Sequence, residues 1–327
     1  MTTGHTDQSE LAPLFMGTGA PGSGEILRTV GDGIGESAMG GLVRRINERA
    51  GCGLVHLGDA DVGETAGAAY VRWPDGRRSV VTQATVPVAR MRQTAEVLDL
   101  AWSRGLPVPR HELTVEVDDG VVAVVQEQLP GGQVPRVDAA VVDALVAVND
   151  RFAGVWADRP DVLVPALNLS RGGLVDPRLE VVDRYSGRSR RLLHRIGEIG
   201  AASPAEMTGT DLVHPDFTVP NILFDDAARV TGVVDWNNGA ARGDRHFALV
   251  KLLFDLTWDA ASPAGGHQHV QADAIERLQT LLDRIVAPGL LRLYWAHWTL
   301  AMLSWTIPSG DSAAVDVHLA LGERGLD

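Results

Sequence analysis

The sequence predicts an α+β protein with two lobes. The N-terminal lobe is expected to hold a five-stranded antiparallel sheet plus helix, and the C-terminal lobe to be larger and mostly helical. Strand-like runs dominate residues 36–128, whereas long segments of helical periodicity dominate residues 136–327. Between them, LPGGQVP at 129–135 combines glycine and proline, which favour neither helix nor strand. We therefore expect a hinge at 129–135, and a flexible, Gly- and Ser-containing arm over 1–35.

The N-terminal lobe is predicted in the order helix, three strands, helix, two strands. Alternating apolar residues indicate strands, and stripes such as Met91, Ala95, Leu98 and Trp102 indicate helices. The expected helices are 36–50 and 90–104, and the expected strands are 53–58, 66–73, 79–86, 112–117 and 121–128. A glycine-containing loop, GDADVGETAG, separates the first two strands.

The C-terminal lobe is predicted to be helical apart from one hairpin. The expected helices are 137–156, 177–202 with a break near Ser186, 247–258, 272–286 and 290–307. ILF at 222–224 and VTGVV at 230–234 are β-prone runs joined by DDAAR, a pattern typical of a hairpin. If Ile222 pairs with Val234, then Asn221 and Asp235 lie opposite each other at its open end.

Composition excludes several classes of protein. The net charge of −13 leaves no basic stripe for phosphates, so we expect no nucleic acid partner. No run approaches the ~18 apolar residues of a membrane span, and the N-terminus lacks the pattern of a signal peptide. One cysteine, Cys52, excludes an internal disulfide framework. A cytoplasmic location without membrane association is the expectation.

The hairpin and the stretch before it gather polar side chains. HPDFTVPN at 214–221 contributes His214, Asp216 and Asn221, and Asp235 follows the second strand. Two carboxylates and a carboxamide at the mouth of one hairpin are oxygen ligands of the kind that suit Mg²⁺. The sequence therefore predicts a magnesium site there, with the phosphates of a substrate as further ligands.

These motifs resemble those of the aminoglycoside phosphotransferase family, which has a protein-kinase-like fold. The family pattern is H-x-D-x-x-x-x-N, a hairpin, and a hydrophobic residue followed by Asp-Trp; here it reads HPDFTVPN and VVDW. GDRHFAL at 243–249, LPGG at the boundary and EVLDLAWSRGLPVP also resemble family segments. The resemblance covers roughly residues 50–260.

The resemblance implies a role for each matching residue. Asp216 would accept or orient the proton of the attacking hydroxyl, and Asn221 and Asp235 would hold Mg²⁺. His214 and Asp244 would support the loops. ATP or GTP would be the phosphate donor, held under the sheet with its base at the hinge backbone. The hinge residues implied are Glu127, Gln128 and Leu129.

The sequence departs from the family pattern in three places. Pro215 replaces a glycine and Ala248 an aspartate. The third strand lacks the expected basic residue, and Gln83 is its only long polar side chain. We therefore predict that Gln83 contacts the phosphates and that an arginine compensates. Arg92 is favoured over Arg78, because Arg92 lies four residues before the helix carboxylate Glu96 and the two can form an ion pair.

The predicted function is a small-molecule O-phosphotransferase acting on a hydroxylated, antibiotic-like acceptor. Trp236, Trp295 and Trp298 are candidates for stacking against that acceptor, and core packing is the alternative for the last two. A metabolic kinase of an amino alcohol or sugar is an alternative function. The missing basic residue also leaves open a catalytically inactive nucleotide-binding protein. A third alternative is an iron site of His214, Asp216 and His246.

Overall fold

The N-terminal lobe is a five-stranded antiparallel sheet in the order β1-β2-β3-β5-β4. The computed structural model describes residues 37–60, 67–84, 86–165, 167, 169, 179–204, 206–262 and 269–326. The arm at 1–35 and residues 61–66 of the glycine-containing loop lie outside these. The strands are β1 (Val55–Asp59), β2 (Ala68–Arg72), β3 (Arg78–Ala84), β4 (His111–Asp118) and β5 (Val121–Glu127). The predicted sheet is confirmed.

Two helices, α1 (Ala38–Ala50) and α2 (Val88–Ser103), cover opposite faces of this sheet. Val81 packs with the apolar face of α1, whereas Ala84 packs with Met91 of α2. Successive strand residues point to opposite faces, so residues 79, 81 and 83 share the α1 side and residues 80, 82 and 84 the other. Leu98 of α2 also enters the core of the second lobe. The helix α2 therefore joins the lobes.

The C-terminal lobe is mostly helical, with three pairs of short strands. Its helices are α3 (Ala139–Asp150), α4 (Leu179–Tyr185), α5 (Gly187–Ala201), α6 (His246–Ala261), α7 (Ala272–Ile285), α8 (Pro288–Ser309) and α9 (Ser312–Leu326). The strand pairs are β6 (Arg136–Val137) with β11 (His269–Val270), β7 (Asp211–Val213) with β10 (Ala241–Gly243), and β8 (Ile222–Phe224) with β9 (Val230–Val233). No helix of the described ranges is long and apolar enough to cross a membrane.

The structure corrects two helical predictions. The helix expected over 137–156 ends at Asp150, because the next turn bonds elsewhere: Leu212 N–H donates to Phe152 O at 3.0 Å and Trp156 N–H to Thr210 O at 2.7 Å. Trp102, expected in the apolar stripe of its helix, is 45% exposed. The predicted break near Ser186 is confirmed, since the Ser186 side chain caps α5.

Residues 129–135, where the sequence predicts a hinge, form hydrogen bonds with the hairpin of β8 and β9. Gly132 N–H donates to Phe224 O and Phe224 N–H donates to Gly132 O, both at 2.9 Å. Thr231 Oγ1 donates to Pro130 O at 2.6 Å. The segment between the lobes thus also supports β8, which follows the loop of Asp216, and β9, which precedes Asp235.

We expect Gly131→Ala to destabilise the protein by about 1–3 kcal/mol. Gly131 has φ +108, and a Cβ there would lie against Thr231 Oγ1 and 2.7 Å from Phe224 O. Gly76→Ala is the control, because Gly76 has φ +90 but nothing within 4 Å of the added atom. Urea unfolding of both variants separates backbone strain from the close contact. Equal losses would show that the hinge packing contributes nothing.

Candidate active site

The polar loops meet at the open end of the β8–β9 hairpin. Ile222 pairs with Val233, so the predicted pairing with Val234 is wrong by one residue. Instead, Val234 N–H donates to Asn221 O at 2.8 Å. The chain then turns at Asp235, which has φ +63, a left-handed conformation that is rare outside glycine. This turn carries the Asp235 carboxylate out of the strand.

His214 joins the two polar loops through both ring nitrogens. Asp216 N–H donates to Nδ1 at 3.0 Å, and Nε2 lies 3.0 Å from Val234 O. A carbonyl only accepts and an amide N–H only donates, so the hydrogen is on Nε2. Burial lowers the pKa of His214 to about 4, which keeps the ring neutral. The Trp236 ring packs edge-on against it, with centroids 4.3 Å apart.

The Asp216 carboxylate is held at both oxygens. Asn221 Nδ2 donates to Asp216 O at 2.9 Å and to Oδ2 at 3.2 Å. Lys251 Nζ lies 3.4 Å from Oδ1. The side chain is still 35% exposed, so a hydroxyl in the cleft can reach it. Because Asn221 turns its amide nitrogen toward Asp216, its oxygen is left for a different partner.

The surroundings of Asp235 disfavour its ionised form. Burial of its carboxyl, and then the nearby charge of Asp216, raise the pKa of Asp235 to about 6, although hydrogen bonds from Asn237 act in the other direction. Carboxylate and amide oxygens are the ligands that Mg²⁺ prefers, and a divalent cation would relieve the repulsion between the two carboxylates. Asn221 and Asp235 therefore fit such an ion.

Thr82 of β3 faces the loop that follows Asp235. Its hydroxyl Oγ1 donates to Asn237 Oδ1 at 2.9 Å. Gln83 is the next residue and lies on the α1 side of the sheet, with Val81, because the strand is regularly paired there. The structure therefore corrects the prediction for Gln83: this residue lies on the face of β3 away from the polar loops, and Thr82 is the β3 residue that bonds to them.

Arg90 and Thr94 connect α2 to the loop that follows Asp235, and Arg92 and Glu96 do not. Arg90 Nη2 donates to Ala240 O at 2.8 Å, and Ala240 N–H donates to Thr94 Oγ1 at 3.3 Å. Arg92 and Glu96 are exposed, and no ion pair between them is found in the described part of the chain. The prediction that Arg92 reaches the phosphates fails because both residues lie on the solvent side of α2.

The hinge residues named from the sequence follow the last pair of the sheet. Ser79 pairs with Glu127, and beyond this pair the backbone of Gln128 and Leu129 is no longer part of the ladder. Glu127 N–H donates to Arg110 O at 2.9 Å. Glu127, Gln128 and Leu129 are half-buried.

Asp244 ties the segment after the hairpin to α6 and α8. His246 N–H donates to Asp244 Oδ1 at 3.0 Å, and Tyr294 Oη donates to Oδ2 at 2.9 Å. Burial opposes ionisation, but the hydrogen bonds from His246 outweigh it and keep the pKa of Asp244 below its ordinary value. The ring of His246 lies 2.7 Å from the same carboxylate.

The three tryptophans assigned to the acceptor belong to the core. Trp236, Trp295 and Trp298 are at most 9% exposed. Their indole N–H groups donate to backbone carbonyls, of Val233, Leu321 and Phe247 respectively. This burial corrects the expectation that one of them stacks against an acceptor.

Lys251 is a site residue that the spacing of motifs did not indicate. It lies on α6, with its ammonium beside Asp216 and 5.6 Å from the Trp298 ring centroid. A signal was present: FALVKLLF holds one charged residue in an apolar run. Arg90, Thr82 and Asn237 carried no comparable signal, since their partners are distant in sequence.

The iron site considered above has no support in the geometry. No group of three His, Cys, Asp or Glu side chains that could hold a metal occurs among the described residues. His246 is turned toward Asp244. Among the described residues after 246, the regular structure is helical apart from β11, whereas the iron alternative requires a barrel.

Comparison with known proteins agrees with this geometry. The model of the phosphotransferase enzyme family matches residues 62–281. The chain belongs to this family. No curated protein matches its sequence.

Solved structures show the same fold at low identity. The aminoglycoside phosphotransferase APH(4)-Ia has a TM-score of 0.62 and 18% identity, with 89% of this chain and 98% of that chain covered. A thermostable mutant of it, in ternary complex with ADP and hygromycin B, has a TM-score of 0.59 at 17% identity, over 87% and 96%. A candidate fructosamine-3-kinase from Thermobifida fusca has a TM-score of 0.53 at 17% identity, over 86% and 97%.

We expect Asp235→Asn to raise the melting temperature of the metal-free protein at about pH 7.5. The pKa of Asp235 rises from 3.8 to about 6, so its ionised form disfavours the folded state. The gain is full above about pH 6, shrinks as pH falls through 6, and vanishes below about pH 3.8, where the carboxyl is protonated in both states.

Differential scanning fluorimetry across this pH range checks the prediction. Asp226→Asn is the control, because Asp226 is exposed in the same hairpin and should give no such gain. A variant that melts below the wild type at every pH would contradict the assignment of strain to Asp235.

Proposed function

We propose that the chain transfers the γ-phosphoryl group of ATP or GTP to a hydroxyl of a small, antibiotic-like acceptor. The observation that carries this is the convergence of Asp216, Asn221 and Asp235 at one end of a hairpin beneath the sheet. Family membership supports phosphoryl transfer, and the matched fold of APH(4)-Ia supports an antibiotic acceptor.

The nucleotide would lie between the sheet and the hairpin. The backbone of Glu127 to Leu129 would meet its base, and Asn221 and Asp235 would hold Mg²⁺ on its phosphates. Mg²⁺ supplies neutralisation of the phosphate charge. Thr82 bonds to Asn237, which donates to Asp235, and the two residues would thereby orient the Asp235 carboxylate.

Asp216 would receive the hydrogen bond of the acceptor hydroxyl. Its carboxylate is fixed by Asn221 and Lys251 and remains partly exposed. Phosphoryl transfer has a loose transition state, so orientation of the hydroxyl matters more than early removal of its proton. Asp216 therefore aligns the nucleophile and takes the proton as the new bond forms.

A nucleotide-consumption screen tests the proposal. The acceptors are hydroxylated antibiotics, with amino alcohols and sugars as the second set, each with ATP and with GTP. Consumption that depends on an antibiotic supports the proposal, and consumption only with the second set identifies a metabolic kinase. Nucleotide binding without turnover for any acceptor would instead support the inactive protein suggested by the missing lysine.

Asp216→Asn is expected to lower kcat by a factor of about 10² or more while leaving nucleotide affinity nearly unchanged. The amide keeps the shape of the side chain but accepts a proton poorly. Asp226→Asn, in the exposed turn of the hairpin, is the matched control and should keep full activity. Near wild-type turnover in Asp216→Asn would remove Asp216 from its assigned role.

Thr82→Val is expected to weaken Mg²⁺-dependent nucleotide binding about 2- to 10-fold, the effect of one hydrogen bond. The change removes only the hydroxyl that fixes Asn237, which in turn donates to Asp235. Gln83→Ala, one residue further on the other face, should leave affinity unchanged. Calorimetry with and without Mg²⁺ measures both; a larger loss in Gln83→Ala would reverse the assignment of the two faces.

A further inference from the structure

The single lysine of the sequence lies at the proposed catalytic carboxylate. Lys251 is in the middle of α6, and its side chain is 7% exposed. Its ammonium lies 3.4 Å from Asp216 Oδ1 and 3.4 Å from Asp255 Oδ1, one helical turn further along α6. A lysine in this position joins the first helix after the hairpin to the loop that carries Asp216.

Burial of this ammonium has to be offset by its two carboxylate partners. Removal of a charged amine from water costs several kcal/mol. For Lys251 burial alone would lower the pKa, but Asp255 and Asp216 outweigh it and raise the pKa above its ordinary value. The side chain is therefore a charged ammonium, although buried ion pairs of this kind add little net stability compared with apolar packing.

The geometry shows what the charge does to Asp216. Lys251 contacts Oδ1, and Asn221 donates to Oδ2, so the two oxygens are held from opposite sides. A carboxylate fixed at both oxygens keeps one orientation toward the cleft. Lys251 also offsets the negative charge of two aspartates, at positions 216 and 255, while β3 offers no cation beyond Arg78 at its start.

We propose that Lys251 is a positioning residue that fixes the Asp216 carboxylate for the acceptor hydroxyl, and that Asp255 holds the ammonium in place. The proposal rests on the proposed function, because it assigns Asp216 the contact with the hydroxyl. Lys251 acts through Asp216 and need not touch the nucleotide. Its removal should therefore change kcat and leave the KM for nucleotide unaltered.

A double-mutant cycle of Lys251→Met and Asp216→Asn tests the proposal. We expect Lys251→Met to lower kcat about 10-fold or more in the wild-type background and less than about 2-fold in the Asp216→Asn background, measured in single turnovers with enzyme in excess. Arg277→Met is the control, because it removes a cation from the distant surface pair Arg277–Asp143. It should leave kcat unchanged in both backgrounds.

The outcomes separate this proposal from the proposed function. Full activity of Asp216→Asn would overturn the proposed function. A strong loss in Asp216→Asn without any loss in Lys251→Met, or losses that multiply in the double mutant, would overturn only the role of Lys251. Multiplying losses would mean that the lysine acts on structure and not through the carboxylate.

A measurement on full-length protein covers the case in which Lys251→Met does not fold. With ¹⁵N-lysine labelling, the one lysine gives a single side-chain ammonium signal in NMR. We expect Asp216→Asn to shift this signal and Asp226→Asn to leave it in place. An ammonium signal unaffected by Asp216→Asn would show that the two groups are not in contact and would overturn the proposal.

Discussion

A buried, neutral imidazole sets the relation between the two loops of the site. His214 accepts from the backbone of Asp216 and donates to the backbone of Val234, the residue before Asp235. Both bonds are to main chain, so the spacing of the two aspartates is fixed independently of their own charge. Protonation of the ring would break the bond at Nδ1, and burial prevents it by lowering the pKa of His214. Two carboxylates are thus kept close although their charges repel each other.

Much of the fold was predictable because its signals are local. The alternation in β2, β3 and β5, the glycine and proline at 129–135, and the β-prone runs of the hairpin each act over a few residues. The predicted pairing of Ile222 with Val234 differs by one residue from the observed pairing with Val233. Its end is set by the left-handed turn at Asp235, a non-glycine residue with φ +63, and spacing alone does not show such a turn.

The site was predictable only where its residues belong to one motif. His214, Asp216, Asn221 and Asp235 fall within one short stretch, and the structure brings them together. Side-chain length favours Gln83 as the phosphate contact of the third strand. A shift of one residue along a strand, however, places the side chain on the opposite face. Both faces of β3 are largely buried, so polarity did not distinguish them. Likewise, Arg90 and Thr94 meet Ala240 across 150 and 146 positions, a contact without a sequence signal.

The positive charge of this site lies beside Asp216 and not beside Asp235. The N-terminal lobe bonds to the loop after Asp235 through neutral acceptors. Thr82 Oγ1 donates to Asn237 Oδ1, and Arg90 Nη2 donates to the carbonyl of Ala240. Neither bond neutralises Asp235, whose pKa is raised by burial and by the charge of Asp216. The ammonium of Lys251, on α6 of the C-terminal lobe, lies beside Asp216 and offsets the charge of that carboxylate instead. One carboxylate is thus compensated by the protein, and under the proposed function Mg²⁺ would compensate the other, which would allow two acidic groups with different tasks to occupy one small site.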